Sequence, residues 1–307
     1  MSYEYKMDSA WRYYSSGLYD QAIDVLKEVL AENPNDALAH GLLAANLLEK
    51  RRIHAAEYEL KIALQLDPVQ PFLFLLQARL YILRNKPNLA LASCDEALSI
   101  SPDFYDAHLL KSVAYTQMRK RHLALESIQA AAAIQPDGPD VTLAFGNYYF
   151  DVGDIQQAEV YVLEALQKNA ESADANVLMG KIALARGQIE DAEYHAKFAI
   201  MNNPESEGAL ILLGDIKARQ NWFIGLWWRI NAKLSTMSDV KQTAWLIGAY
   251  MFFSFLAQCV ADLGYPKSAY IVAYIWIGFA VYTWMALPAY HRALKKELMQ
   301  FQFNRNF

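Results

Sequence analysis

The sequence predicts an all-α fold: an α-solenoid of six helix-turn-helix repeats followed by a two-helix transmembrane hairpin. Pro34, Pro68, Pro102, Pro136 and Pro204 fall on a 34-residue period, and Ala22, Ala56, Ala90, Ala124, Ala158 and Ala192 keep that period without a gap. A third series, Ala10, Ala44, Ala78, Ser112, Gly146 and Gly180, sets a small residue at one point of every unit. Beyond residue 220 the pattern stops, and two long uncharged runs take its place.

A fixed period of this size is the signature of stacked supersecondary units, each too small to bury its own apolar face. The units are residues 3–36, 37–70, 71–104, 105–138, 139–172 and 173–206. Small side chains let two helix axes approach closely, and a proline ends a helix by removing a donor and clashing with the preceding turn. Tyr13, Tyr81, Tyr115 and Tyr149 recur between the small positions and fill the seam.

These residues resemble the tetratricopeptide repeat family, over roughly residues 3–206. Two departures stand out: Ala170 replaces the proline of the fifth unit, and His40 and His108 stand where the family often has tryptophan. The resemblance implies antiparallel helix pairs whose first helices line a concave groove that binds an extended or helical protein segment. Its inward-facing positions map onto Leu38, Ala45, Leu48, Phe72, Leu75, Arg79, Ile82, Leu109, Val113, Thr116, Leu143, Asn147, Phe150, Val177, Lys181 and Leu184. Asp106, Asp140 and Asp174 repeat at one edge. The points at which a subset of the family clamps carboxylates hold mostly apolar or acidic residues, among them Leu42, Leu76 and Leu110, so that activity is not implied.

Six repeats leave an apolar face open at the end of the stack, and a capping helix over residues 207–219 is expected there, with Ala209, Leu212, Leu213 and Ile216 on one face. Residues 220–241 read as an interfacial amphipathic segment: Phe223, Leu226, Trp227, Ile230 and Leu234 form a stripe, with Arg229 and Lys233 elsewhere on the helix.

Residues 243–261 and 269–288 carry no charge, and each is about long enough as a helix to cross a hydrocarbon core of roughly 30 Å. Trp222, Trp227, Trp228, Trp245 and Trp284 lie beside or just inside the proposed membrane ends, where an amphipathic ring is favoured. Lys and Arg gather before the first run and in the 289–307 tail, while the connecting turn has only Lys267. The expected placement is therefore a two-span protein of the cytoplasmic membrane with both termini in the cytoplasm. This part is similar to the membrane module that follows the repeats in some bacterial proteins of the family.

Charge divides the same way. Residues 1–220 hold 20 Lys+Arg against 30 Asp+Glu, a net −10, whereas residues 221–307 hold 8 against 3, a net +5. An acidic solenoid is a poor match for phosphates, so nucleic acid is not an expected partner, while the basic part suits an anionic leaflet.

Signatures of chemistry are absent. There is no Gly-rich loop ending in Lys-Ser/Thr, no His-Glu-x-x-His helix and no Gly-x-Ser-x-Gly elbow, and Ser238-Asp239-Val240-Lys241 stands without its companion motifs. The pairs His40/His108 and His54/His122 sit two units apart, too far to share an ion when each repeat touches only its neighbours. Cys94 and Cys259 offer no disulfide. Neither enzyme activity, cofactor nor metal is expected. The reading is a membrane-anchored scaffold whose groove binds a protein segment. The alternative is an accessory subunit of a membrane complex, bound through its hairpin.

Overall fold

The computed structural model describes residues 2–204, 206–220 and 239–263, together with 270, 271, 274 and 278. Among them there are helices and turns and no strand. The helices are α1 (Tyr3–Ser15), α2 (Tyr19–Glu32), α3 (Ala37–Glu49), α4 (Ile53–Leu66), α5 (Pro71–Leu83), α6 (Pro87–Ile100), α7 (Tyr105–Gln117), α8 (Arg121–Ile134), α9 (Pro139–Val152), α10 (Ile155–Lys168), α11 (Ala173–Ala185), α12 (Ile189–Asn202), α13 (Glu207–Gln220) and α14 (Asp239–Asp262). They divide into two compact units, Met1–Ile182 with Asn202–Ser206, and Ala183–Met201 with Glu207–Phe307.

The first unit is a helical repeat solenoid. Helices pair as α1 with α2, α3 with α4, α5 with α6, α7 with α8 and α9 with α10, and each pair packs on the next. The periodic alanines make this stacking possible: Ala22, Ala56, Ala90, Ala124 and Ala158 are all at most 1% exposed. A methyl group is all that fits where the axes cross, and larger side chains around it supply the apolar area.

Helix ends follow the same register. Each second helix stops at a residue whose backbone N–H still bonds to the last turn: Asn33, Asp67, Ser101, Gln135 and Asn169. In three of these, Asn33, Asp67 and Asn169, the side chain then accepts from the N–H two residues on. That local turn explains the fifth unit, where Ala170 stands in place of proline and α10 still ends at Lys168, as Asn169 closes it without help from a ring.

Between the two helices of each unit the chain passes through the left-handed region at Gly17, Arg51, Asn85, Arg119 and Gly153, again one unit apart. Glycine is free of strain there, whereas an L side chain costs about 1–2 kcal/mol. Arg51 and Arg119, in the basic runs Lys50-Arg51-Arg52 and Arg119-Lys120-Arg121, therefore occupy the least comfortable backbone positions of their repeats. Arg119→Gly is expected to raise stability by about 0.5–1 kcal/mol, part of the relieved strain being offset by the entropy of glycine in the unfolded chain. A urea titration reads this as a higher midpoint with unchanged slope, and a lower midpoint would show that the Arg119 side chain contributes more than its backbone loses.

In the second unit α13 buries Ala209, Leu212, Leu213, Gly214, Ile216 and Ala218. Glu193 of α12 accepts from Lys197 Nζ at 2.8 Å, Lys217 Nζ at 3.1 Å and Gln220 Nε2 at 2.8 Å. Burial opposes its charged form, yet these donors hold the carboxyl down at about 2. A depressed carboxyl contributes stability that is complete above the ordinary glutamate range and is lost as pH falls towards 2.

Helix α14 is 24 residues long and contains the whole uncharged run 243–261. Among its described side chains, Tyr250, Met251, Phe252 and Phe255 are all more than half exposed. Among the described residues no helix is long and apolar enough to cross a membrane. Neither of the two expected spans is therefore shown: the surroundings of residues 239–247 fall outside the described part of α14, and 269–288 lies outside it except for Tyr270, Ile271, Tyr274 and Gly278. The interfacial segment is also outside it for residues 221–238, and so is the 289–307 tail.

Candidate functional site: the face of the first helices

Successive first helices touch one another, α1 with α3, α3 with α5 and α5 with α7, and so share one face of the first unit. A cavity of about 140 Å³ opens on this face, lined by Leu48, Glu49, Arg51, Arg79, Ile82, Leu83, Leu110 and Val113. Five of the eight lining side chains are apolar, and the rest are the Arg79–Glu49 ion pair and Arg51. Arg79 Nη2 donates to Glu49 Oε1 at 2.5 Å, and Arg79 Nη1 donates to the Tyr14 hydroxyl at 3.1 Å.

That pair is held in place by its surroundings. Burial weighs against the charge on Arg79, but Glu49 and Tyr14 more than restore it and push its pKa upward. Burial likewise raises the Tyr14 phenol, and burial together with Glu49 pushes Tyr19 up to about 12. Both tyrosines therefore remain neutral at physiological pH. Trp11, Tyr14, Tyr19 and Phe72 form a linked aromatic wall, with ring centroids 5.4 Å apart for Trp11–Phe72 and 6.1 Å for Tyr14–Tyr19.

The structure distributes the sequence-mapped groove residues unevenly. Leu48, Arg79, Ile82 and Val113 meet at the cavity. Leu38 and Phe72 pack against a core drawn from the first three repeats, Leu75 and Ile82 against one from the third and fourth, and Leu143 and Phe150 against one from the fifth and sixth. Ala45, Val177 and Leu184 are buried packing residues. Val113, Thr116 and Asn147 are exposed, Leu109 and Lys181 are half-buried, and the Asn147 amide is turned back to the Leu143 carbonyl at 3.2 Å. Trp11, Tyr14 and Glu49 are part of the site without having been mapped to it. Trp11 and Tyr14 stand one unit before Ala45 and Leu48, so the period itself pointed to them.

Of the expected membrane-interface residues, Trp222, Trp227, Trp228, Arg229, Lys233 and Trp284 lie outside the described residues, and Trp245 lies in α14 with its side chain outside them. His40 is tied into the fold: Nδ1 is 2.6 Å from Glu59 Oε2 and Nε2 is 3.0 Å from the Pro34 carbonyl. Among the described residues no group of His, Cys, Asp and Glu could hold a metal ion. Cys94 is buried, and burial pushes its thiol up to about 12, where it is inert as a nucleophile.

The repeat geometry and the sequence converge on one description, since residues 13–80 and residues 143–207 each match a family model described as the tetratricopeptide repeat. The chain carries tetratricopeptide repeats. Solved structures of such proteins are similar in fold. A thermophilic tetratricopeptide protein of Thermus thermophilus is 21% identical over 60% of this chain and all of its own, with a TM-score of 0.56. One from Parabacteroides merdae is 17% identical over 70% of this chain and 84% of its own, at 0.58. PilW, a type IV pilus biogenesis factor, is 23% identical over 69% of this chain and 98% of its own, at 0.50. At these identities the likeness is one of fold. No curated protein matches the chain.

Proposed function

We propose that the protein is a tetratricopeptide scaffold, held at the cytoplasmic face of a membrane, whose concave groove binds a segment of a partner protein. The observation that carries the groove is the apolar cavity at Arg79 and Glu49, concave and walled by helices from three successive repeats. Tetratricopeptide repeats typically act as protein-interaction scaffolds, and their extended face suits a peptide better than a compact metabolite.

Membrane attachment is supported by α14 and by charge. A solvated helix seldom presents Tyr250, Met251, Phe252 and Phe255 together, and an apolar surface of this kind calls for lipid or a protein to cover it. The net +5 of residues 221–307 favours an anionic leaflet, and confinement there raises the effective concentration of the groove for other membrane-bound partners.

The same exposed side chains of α14 favour a second reading, an accessory subunit held to another membrane protein through this helix. Photoreactive residues at Val113 and Asn147 in the groove and at Phe255 in α14, crosslinked in intact membranes, separate the two. Adducts at Val113 or Asn147 are expected for the scaffold. Adducts confined to Phe255 would replace it by the subunit reading, and full recovery of the protein in the soluble fraction would remove the membrane from both.

A further inference from the structure

The concave wall changes character beside the cavity. Leu38 and Phe72 in the second and third repeats are followed at the same position by Asp106, Asp140 and Asp174 in the fourth, fifth and sixth. Asp106 belongs to α7, the helix that supplies Leu110 and Val113 to the cavity wall, so the anionic row starts at the edge of the apolar hollow.

An acidic residue in the first turn of a helix has an ordinary explanation, since the helix dipole favours negative charge there. A carboxylate placed only for that purpose stays solvated, with its pKa at or below the usual range. Asp106 and Asp174 shift the other way. Desolvation raises both, with Asp106 half-buried and Asp174 at the exposed rim; Asp140 raises Asp106 further, and Glu49 of α3 raises Asp174 further. Arg79 and Lys181 act in the opposite direction without cancelling the shift of Asp174. Among the described residues none of the three forms a salt bridge, Asp106 accepting only from its neighbour Tyr105. The nearby guanidinium of Arg79 is already engaged by Glu49 and Tyr14. The edge of the groove therefore carries three carboxylates that no salt bridge neutralises, and charge complementarity favours a cationic segment along them.

We infer that the groove takes a segment that seats one apolar side chain in the cavity beside Val113 and lays lysine or arginine side chains along Asp106, Asp140 and Asp174. This rests on the groove-binding function proposed above and narrows it to a class of ligand. Equivalent points on neighbouring first helices are about 10 Å apart, and an extended chain covers about 3.3 Å per residue, so the cations recur at about every third residue.

The test uses the full-length protein and two fluorescent 15-residue peptides, each with a central leucine. One carries lysine at every third position on one side of the leucine, and the other carries glutamate at those positions. Anisotropy is expected to show binding of the lysine peptide alone, weakening as salt is raised. The triple variant Asp106→Asn, Asp140→Asn, Asp174→Asn should bind it at least about tenfold more weakly. Because Asn removes like-charge repulsion, the variant should melt no lower than the parent, so lost binding is not lost folding. Equal binding of both peptides, equal binding by the variant, or no binding of the lysine peptide overturns the inference. The groove reading has its own readout: a segment crosslinked at Val113 that proves neutral or acidic by mass spectrometry ends the cationic ligand and leaves the groove standing. No adduct at Val113 or Asn147 ends both.

Discussion

Leu178→Ala is expected to lower the unfolding free energy of the repeats by about 2–5 kcal/mol, the range for deleting a fully buried leucine. Leu178 is 1% exposed and sits among Ala158, Val162, Ala165, Ala175 and Ile182. Several of these neighbours are alanines, which have no spare atoms to swing into the void, so the upper half of the range is expected. The same site contains a built-in control. A Cβ added at Gly146 would lie 3.0 Å from Leu178 Cδ2, close enough that the leucine must give way. Gly146→Ala alone thus gains up to about 1 kcal/mol of helix propensity and loses most of it to crowding. In the Leu178→Ala background the crowding is gone and the gain survives. A double-mutant cycle by urea denaturation should return a favourable coupling of about 0.5–1 kcal/mol. Additive effects would mean that the two helices do not meet through this pair.

Ala90→Leu is expected to cost about 2–3 kcal/mol, through crowding rather than a void. Ala90 is fully buried in a cluster with Ala78, Cys94, Ala97, Ala107 and Ala114, so the added branch meets helices that already touch. In a stack of repeats the cost falls on one unit and its two interfaces, which divides the array instead of weakening it evenly. Hydrogen exchange should show α5 and α6 losing protection first, with α1 and α2 keeping theirs. Uniform loss across α1 to α10 would mean that the solenoid unfolds as one block.

The repeat architecture was legible in the sequence because its physical causes are local and recur. A methyl group at each crossing point, a small residue opposite it and a proline after the second helix act on their own turn or on the neighbouring helix, so 34-residue spacing exposes them. His40 shows where that reading stops. Its register position was visible, but its bonds to Glu59 and the Pro34 carbonyl depend on how α3 and α4 meet. The turn residues show the same limit. Arg51 and Arg119 look like solvated charge in the sequence, and only the backbone reveals that they occupy a glycine position.

The candidate site was legible in part for the same reason. Periodicity says which residues share a face, but a first helix has core-facing and groove-facing positions side by side. Ala45 and Val177 are buried and Val113 is exposed, and only the packing between neighbouring repeats decides which. The sequence alone established the period, the helical class and the break at residue 220, since these depend on residue type and spacing. Tertiary structure alone decided that Arg79 is spent on Glu49 and Tyr14, and that a hollow opens between Leu48 and Val113. Those contacts join residues up to 65 positions apart, and the curvature that brings them together is a sum of small rotations between repeats that no single repeat encodes.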